Sequence, residues 1–308
     1  MRSFVTLLFV FLGAACAQDE ALPRLTLVRE VRCSDLFGDA LDRYEASGVE
    51  YDGKALRVVF DNSWKLAVVS PELDKASARL IDPDPRLRGS SDLEGLAYDA
   101  QGRLWGVIEG ARLESGSVHG LLVAYKDDSA LGPAKLPAEL PDGGKGYEGL
   151  ACVERDGKTV LLALLEGNHG EGGKRGKDEG HGRIHAYVVD PAKQDLPPPQ
   201  VLEVPAAAAF RDYAGIDVLG DRVAIVSQSS GRLWVGAFKP GTLEFAGPGQ
   251  VYDFPLDEEG AERATYDRLE GVVWLDEQTL VCVSDRAKPD ESDAHDQAIH
   301  VLRLPVGD

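Results

Sequence analysis

One strand–turn–strand pattern recurs five times, and this recurrence predicts an all-β fold, a five-bladed β-propeller. Each copy has a glycine at the start of a short apolar strand, then a polar or glycine turn, then a second strand rich in Val and Leu. The motif glycines are Gly48, Gly95, Gly149, Gly215 and Gly271, which lie 47, 54, 66 and 56 residues apart. Four strands repeated at this period are typical of propeller blades.

The ends of the chain indicate how the ring closes. The fifth copy reaches Asp308 after only three strands, and residues 24–33 form a lone alternating strand before the first copy. We expect residues 24–33 to supply the missing fourth strand, because pairing the chain ends removes an exposed sheet edge. A sixth, degenerate blade is the alternative. No domain boundary is visible, so residues 18–308 are predicted to form a single domain.

Each element is predicted from apolar runs bounded by turn signals such as Asp52-Gly53 and Asp156-Gly157. The first strands are placed at 49–51, 96–98, 150–153, 216–218 and 272–275. The second strands are placed at 56–61, 104–109, 160–166, 223–228 and 280–285. The third strands are placed at 65–69, 120–125, 183–189, 232–238 and 298–304. The fourth segments are placed at 78–81, 134–136, 200–204 and 250–254, and one helical turn at 206–210.

Residues 1–17 have the pattern of a secretory signal. Arg2 gives a positive start, residues 4–12 are apolar, and Ala15-Cys16-Ala17 forms a cleavage site. A second interpretation is a bacterial lipoprotein, with Cys16 acylated. Both interpretations predict a secreted or periplasmic protein, and the apolar run is too short to span a bilayer.

The composition excludes several partners. The chain of 308 residues carries a net charge of −19, so nucleic acid and anionic membranes would be repelled. Cys33, Cys152 and Cys282 are too far apart in sequence for a zinc site or a disulfide framework. We expect free thiols in a monomer, with a small molecule or phosphoester as ligand; a bridge that uses Cys33 stays open.

The two strands of each hairpin bring acidic residues to one place. The start of the first strand lies beside the end of the second, and the first strand is innermost in a propeller. These ends should therefore gather at one mouth of the central channel. The predicted metal ligands are Glu45, Asp61, Glu94, Glu109, Glu148, Glu166, Asp212, Gln228, Glu270 and Asp285.

A ring of carboxylates favours a bound cation. Two carboxylates about 5 Å apart repel by roughly 3 kcal/mol at an effective dielectric constant of about 20. A hard divalent ion relieves this repulsion, and oxygen ligands suit Ca²⁺ better than Zn²⁺. The alternative is that the acids cap turns or pair with Arg103, Arg112, Arg268 and Arg286. His181 and His185 offer a weaker site for a transition metal.

Two copies of the repeat carry a resemblance to a known family. The second copy reads Asp92-Leu-Glu-Gly-Leu-Ala-Tyr and ends its second strand on Glu109-Gly. The third reads Gly146-Tyr-Glu-Gly-Leu-Ala-Cys and ends on Glu166-Gly. These copies resemble the blades of phytase-like propellers with proposed esterase activity. Glu45-Ala-Ser-Gly-Val and Leu269-Glu-Gly-Val-Val, in the first and fifth copies, look like the related exported SdiA-regulated propellers.

The resemblance covers most of residues 40–305 and implies an exported, calcium-associated propeller that acts on phosphoesters. Together with the acidic mouth, it predicts a metal-dependent hydrolase of phosphoester or other ester bonds. In such an enzyme Glu148, Glu166 or Glu94 would act as the general base on water. The alternative is a non-catalytic propeller that binds a small ligand or an envelope partner, with Ca²⁺ as a structural plug.

Overall fold

The computed structural model describes residues 21–84, 86–87, 89–126, 129–131, 133–140, 146–167, 180, 182–189, 196–256, 266, 268–287 and 295–305. The signal segment, His181 and the ends of several loops lie outside these residues. The described chain begins with strand β1 (Thr26–Arg32) and the short helix α1 (Cys33–Phe37). Five antiparallel sheets follow, as expected for five blades.

The strands of the blades follow the chain in order. The first blade contains β2 (Ala46–Tyr51), β3 (Leu56–Phe60), β4 (Ser63–Val69) and β5 (Arg79–Ile81). The second contains β6 (Leu93–Tyr98), β7 (Leu104–Arg112), β8 (Val118–Lys126), β9 (Ser129–Ala130) and β10 (Ala134–Leu140). The third contains β11 (Tyr147–Arg155), β12 (Lys158–Leu165), β13 (Arg183–Val189) and β14 (Gln200–Glu203). The fourth contains β15 (Gly215–Leu219), β16 (Arg222–Ser227), β17 (Arg232–Ala237) and β18 (Gln250–Asp253). The fifth contains β19 (Leu269–Trp274), β20 (Thr279–Ser284) and β21 (Ala298–Arg303).

The N-terminal strand closes the ring. Sheet order in the fifth blade is β1-β21-β20-β19, so β1 is the outer strand that the last copy lacks. Its register runs antiparallel from Thr26 opposite Arg303 to Arg32 opposite Ala298. The predicted closure is therefore confirmed. The described residues form five sheets, which is the five-bladed arrangement and not the six-bladed alternative.

The core lies between the blades rather than in the centre of the ring. Five hydrophobic clusters fill the five spaces between neighbouring sheets. Leu162 of the third blade and Trp234 of the fourth belong to one cluster, and Val58 of the first blade and Val281 of the fifth belong to another. Because both faces of a sheet are covered, middle strands such as β20 are buried along their whole length. This burial explains why the strands appear in the sequence as continuous apolar runs.

The motif glycines form a ring where the innermost strands meet. A Cβ atom on Gly48 would lie 3.0 Å from the Cα of Gly95, and one on Gly95 would lie 3.0 Å from the Cα of Gly149. The series continues through Gly215 at 3.1 Å and Gly271 at 3.2 Å. None of these five glycines has a positive φ. They are needed because neighbouring backbones approach too closely for a side chain, and not because of a special backbone conformation.

A few small elements differ from the sequence prediction. Neither α1 nor the two-residue strand β9 was predicted from the sequence, whereas the turn expected near residue 206 is a 3₁₀ turn at Ala206–Ala208. Cys33, Cys152 and Cys282 are free thiols, as expected. Within the described part of the chain, no helix is long and apolar enough to cross a membrane.

Candidate functional site

A repeated backbone hydrogen bond fixes the second-strand acids at the channel mouth. In four blades the predicted second-strand acid donates its N–H to the carbonyl three positions before the motif glycine; Asp61, Glu166 and Asp285 directly follow their strands, and Glu109 lies within β7. The pairs are Asp61 to Glu45 at 3.0 Å, Glu109 to Asp92 at 3.0 Å, Glu166 to Gly146 at 3.0 Å and Asp285 to Arg268 at 2.9 Å. The hairpin argument from the sequence is therefore confirmed for the backbone of these blades.

A β-bulge directs a second set of acids toward the same place. In the same four blades, the pairing of first and second strands skips the residue before the motif glycine. The skipped residues are Ser47, Glu94, Glu148 and Glu270. A bulge leaves one residue outside the ladder and redirects its side chain. Three glutamates thus leave the regular alternation of their strands, which the repeat pattern alone did not predict.

The bulge glutamates lie close enough to affect one another. Burial raises the pKa of Glu94 well above its usual range, and the charges of Glu148 and Glu270 raise it further. Burial likewise raises the pKa of Glu270, with Asp285 and Glu148 adding to the effect. Glu94 is only 8% exposed. Glu94, Glu148 and Glu270 therefore form the centre of the cluster.

Asp61 connects this centre to a second group of acids. Burial raises the pKa of Asp61 to about 7, and the charges of Glu45 and Asp285 contribute to the rise. The Oδ1 atom of Asp61 is buried and has no hydrogen-bond partner within the described structure. A buried oxygen without a donor is costly, which makes this atom a position where a cation would be stabilising.

Glu109, Glu148 and Glu166 form a third group. One carboxylate oxygen from each lies within 4.8 Å of the others. Glu109 also accepts a hydrogen bond from the backbone N–H of Gly146 at 3.2 Å. Glu148 and Glu166 are partly exposed, so this side of the mouth is open to solvent.

The fourth blade does not contribute a carboxylate to the mouth. Asp212 accepts hydrogen bonds from the hydroxyls of Ser227 and Ser229 and from the backbone N–H of Ser229. Its carboxylate therefore caps a turn, the alternative that the sequence left open for these acids. Gln228 presents its amide nitrogen to Glu270, 2.7 Å from Oε1, rather than the oxygen expected of a metal ligand. The remaining eight predicted carboxylates come in pairs from the other four blades.

Arg43 pairs with Glu45, one of the acids of the cluster, at 2.9 Å, and its charge also lowers the pKa of Asp285. Arg103 pairs with Asp99 at 2.7 Å, and Arg112 donates to the carbonyl of Gly116. Arg268 does act on the mouth, because its charge lowers the pKa values of Glu270 and Asp285. For both acids burial is the larger effect, and the net shift is upward.

A separate pair of acids lies on the innermost strands, on the side of the glycine ring away from the acidic mouth. Glu50 and Asp217 each stand two residues after a motif glycine, and the charge of Asp217 helps to raise the pKa of Glu50, after burial. Burial raises the pKa of Asp217 to about 6 although it accepts a hydrogen bond from the backbone N–H of Trp274 at 2.7 Å. The pair was not predicted, although an acid inside an apolar strand was a visible signal.

His185 does not have the surroundings of a metal ligand. Its Nδ1 lies 2.6 Å from the hydroxyl of Tyr147, which also bonds to the hydroxyl of Tyr187. Burial lowers the pKa of His185 to about 4. Its proposed partner, His181, lies outside the described residues.

No protein-family model and no curated protein matches the chain. Solved structures do match it. The PQQ-bound aldose sugar dehydrogenase of Streptomyces coelicolor is 13% identical with a TM-score of 0.50, covering 91% of this chain and 98% of the other. The glutaminyl cyclase of Myxococcus xanthus is 13% identical with a TM-score of 0.51, covering 94% and 100%. These likenesses show the propeller fold, and the phytase-like assignment stays a prediction.

Proposed function

We propose that this protein is a calcium-dependent hydrolase of phosphoester or other ester bonds, with its site at the acidic channel mouth. The observation that supports the proposal is the convergence of eight carboxylates from four blades, among which Asp61 Oδ1 is buried without a donor. Without a cation these groups repel one another, and the pKa values of Asp61, Glu94 and Glu270 rise in response.

The residues present fit Ca²⁺. All of the ligands are carboxylate oxygens, and Ca²⁺ takes six to eight oxygens in flexible geometry. Glu94 and Glu270 would hold the ion from the centre, with Asp61 from the first blade. When bound, the ion supplies a positive charge that polarises the phosphoryl or carbonyl oxygen of a substrate.

The exposed side of the mouth is where water would be activated. Glu148 and Glu166 are partly exposed and belong to the group of three carboxylates with Glu109. Either one would accept a proton from water as the general base. Glu94 suits this role less, because its side chain is buried and leaves little access for a water molecule. We therefore assign the base to Glu148 or Glu166 and a ligand role to Glu94.

Burial of Glu94 also favours the second candidate, a non-catalytic propeller with Ca²⁺ as a structural plug. A plug requires only closed coordination, whereas an enzyme requires an open position beside the ion. The partly exposed Glu148 and Glu166 favour the open arrangement.

Activity measurements separate the two candidates. The wild-type chain is assayed on aryl phosphomonoesters, phosphodiesters and carboxylic esters with CaCl₂ or with EGTA. The hydrolase predicts turnover that requires Ca²⁺ and falls at least about 100-fold in Glu148→Gln or Glu166→Gln, the range expected for loss of a general base. Asp212→Asn is the matched control, because this acid lies at a motif position but caps a turn.

Two results would overturn the hydrolase. One is an absence of turnover across the panel together with strong thermal stabilisation by Ca²⁺, which would establish the plug. The other is turnover that is equal in the Gln variants and in Asp212→Asn.

A further inference from the structure

Closure of the fifth blade brings one glutamate and two histidines together. Glu30 on β1 is the direct cross-strand partner of His300 on β21, and His295 lies just before β21. Nδ1 of His295 is 2.6 Å from Oε2 of Glu30, and Nδ1 of His300 is 2.9 Å from the same oxygen. One ligand atom from each of the three residues lies within 4.8 Å of the others.

We propose that Glu30, His295 and His300 bind a divalent transition-metal ion, for which Zn²⁺ is the best fit. Two imidazole nitrogens and one carboxylate oxygen are a common donor set for Zn²⁺ in proteins, with water in the fourth position. The site shares no residue with the acidic mouth, which offers oxygen atoms only. The proposal is therefore independent of the hydrolase.

The hydrogen-bond network around His300 supports a cation at this point. Ser284 donates its hydroxyl proton to the backbone carbonyl of His295 at 2.7 Å and accepts the N–H of Ala298 at 3.0 Å. A serine has one hydroxyl proton, so the contact of 3.1 Å between Ser284 Oγ and His300 Nε2 must be donated by the imidazole. This assignment leaves Nδ1 of a neutral His300 without a proton.

The unprotonated Nδ1 of His300 then faces an acceptor. Its lone pair and the Glu30 carboxylate oxygen are 2.9 Å apart, and two acceptors at that separation repel unless a positive charge lies between them. A proton would supply this charge at a ring that is 0% exposed, and so would a metal ion bound to the same two atoms. A metal ion supplies the charge while the imidazole stays neutral, the form in which histidine binds metals.

The geometry requires only a small opening. Ligand atoms around a tetrahedral Zn²⁺ lie about 3.3 Å apart, given Zn–N distances of about 2.0–2.1 Å. The present separations of 2.6 and 2.9 Å would widen by about half an ångström. Glu30 and His295 have side chains that are 22% and 15% exposed, so they can move and admit an ion.

The surrounding residues hold both rings in place. Tyr266 stacks on the ring of His295, with centroids 4.1 Å apart and an angle of 10° between the planes. Ser284 fixes the orientation of His300 through Nε2. Such outer contacts orient metal-binding histidines and select their tautomer.

A metal here would join the two ends of the chain. Glu30 and His300 are 270 positions apart, and their strands form the closure of the ring. A link that closes a long loop removes much of the freedom of the unfolded chain, so it stabilises the fold strongly. We therefore expect Zn²⁺ to raise the Tm of the whole propeller.

The test measures Zn²⁺ and Co²⁺ binding to the EDTA-treated wild-type chain by calorimetry and by visible absorption of the Co²⁺ form, with CaCl₂ present throughout. We expect one equivalent of Zn²⁺ and a rise in Tm. Glu30→Gln and His295→Gln should weaken binding at least about 100-fold, because loss of even an outer contact of a metal ligand costs about 10–100-fold.

Two controls retain the proposed ligands. His119→Gln removes a histidine of the second blade whose Nδ1 lies 2.9 Å from the carbonyl of Leu136. The double variant His169→Gln/His181→Gln removes histidines that lie outside the described residues. Both should bind Zn²⁺ as the wild type does. Circular dichroism and the Tm in EDTA establish that each variant folds, and if one ligand variant does not fold, the other decides.

The proposal is overturned if the wild type binds no Zn²⁺, or if Glu30→Gln and His295→Gln bind it as tightly as the wild type. Loss of binding in the His169→Gln/His181→Gln variant alone would also overturn it. None of these outcomes depends on hydrolase activity, so failure of this proposal and failure of the proposed function are distinguishable.

Discussion

At the mouth of the channel, carboxylates from four blades gather, whereas beyond the glycine ring the described residues place one interacting pair of acids, Glu50 and Asp217. Both acids of the pair accept a hydrogen bond from a backbone N–H. Tyr51 donates to Glu50 at 2.7 Å, and Trp274 donates to Asp217 at 2.7 Å. At the mouth, Asp61 Oδ1 has no donor.

This difference indicates how the negative charge at each end of the channel is neutralised. Backbone N–H groups partly compensate the negative charge of the pair beyond the ring. The pair can also hold a proton, since the pKa values of both acids are raised. The mouth has too many carboxylates for one or two protons to neutralise. We therefore expect the mouth to respond to a divalent ion, and the pair to respond to pH.

The largest expected effect is that of Ca²⁺ on stability. At about 1,000 times its Kd, a ligand that binds only the folded state stabilises it by about 4 kcal/mol. We expect Ca²⁺ to raise the Tm of the wild type and Glu270→Gln to lose most of this rise. In EGTA the same variant should be more stable than the wild type, because one of the repelling acids is gone. Differential scanning calorimetry with and without Ca²⁺ measures both. Asp217→Asn should keep the full Ca²⁺ effect; an equal loss in the two variants would show that the two ends are not distinct.

The glycine ring that separates the two ends can be broken directly. A Cβ atom on Gly149 would lie 2.9 Å from the backbone nitrogen of Ile216, so Gly149→Ala must push the third and fourth blades apart. Overpacking of this kind costs about 1–3 kcal/mol. Urea denaturation measures the loss, and Gly247→Ala is the control, because a Cβ there would meet no atom within 4 Å. Equal stability of the two variants would contradict the close-approach explanation.

The pair beyond the ring should make stability depend on pH. The pKa of Asp217 is raised from its ordinary value near 4 to about 6 in the folded protein. A raised pKa in the folded state favours folding below the unfolded pKa, and this contribution is lost as pH rises from about 4 to about 6. Asp217→Asn carries no charge to titrate, so its Tm relative to wild type should increase across this window and then level off. A difference that stays constant between pH 4 and pH 7 would rule out Asp217 as the titrating group.

The smallest effect is expected at the fourth blade. Asp212 caps a turn through Ser227 and Ser229, so Asp212→Asn should change the affinity for Ca²⁺ less than about twofold. Glu94→Gln, at a bulge of the second blade, should weaken it at least about tenfold, since loss of one carboxylate ligand costs more than 1.4 kcal/mol. Isothermal titration of Ca²⁺ measures both variants. A tenfold loss in Asp212→Asn would restore this acid to the ligand set.

The repeat pattern predicted more of the fold than of the site. Strand positions such as 183–189 and the closure by residues 24–33 followed from turn residues and apolar runs, which depend on neighbouring positions in the chain. The convergence of acids at one mouth followed from hairpin geometry. The exceptions were Asp212 and Gln228. Asp212 bonds to Ser227, at the end of β16, and to Ser229 in the turn after it, and no motif marks these contacts.

The sequence by itself predicted the order of strands, the closure of the ring and the gathering of acids at one end of the channel, and it left a sixth blade open. These properties follow from local turn chemistry and from the period of the repeat. Only the tertiary structure decided which side chains meet. Glu94, Glu148 and Glu270, each at a bulge within its own blade, meet from three blades. Glu50 and Asp217 meet from two blades, and Glu30 meets His295 and His300 from the opposite end of the chain. Their contacts depend on the distances between strands of different blades around the axis, and these distances cannot be deduced from the spacing of residues along the sequence.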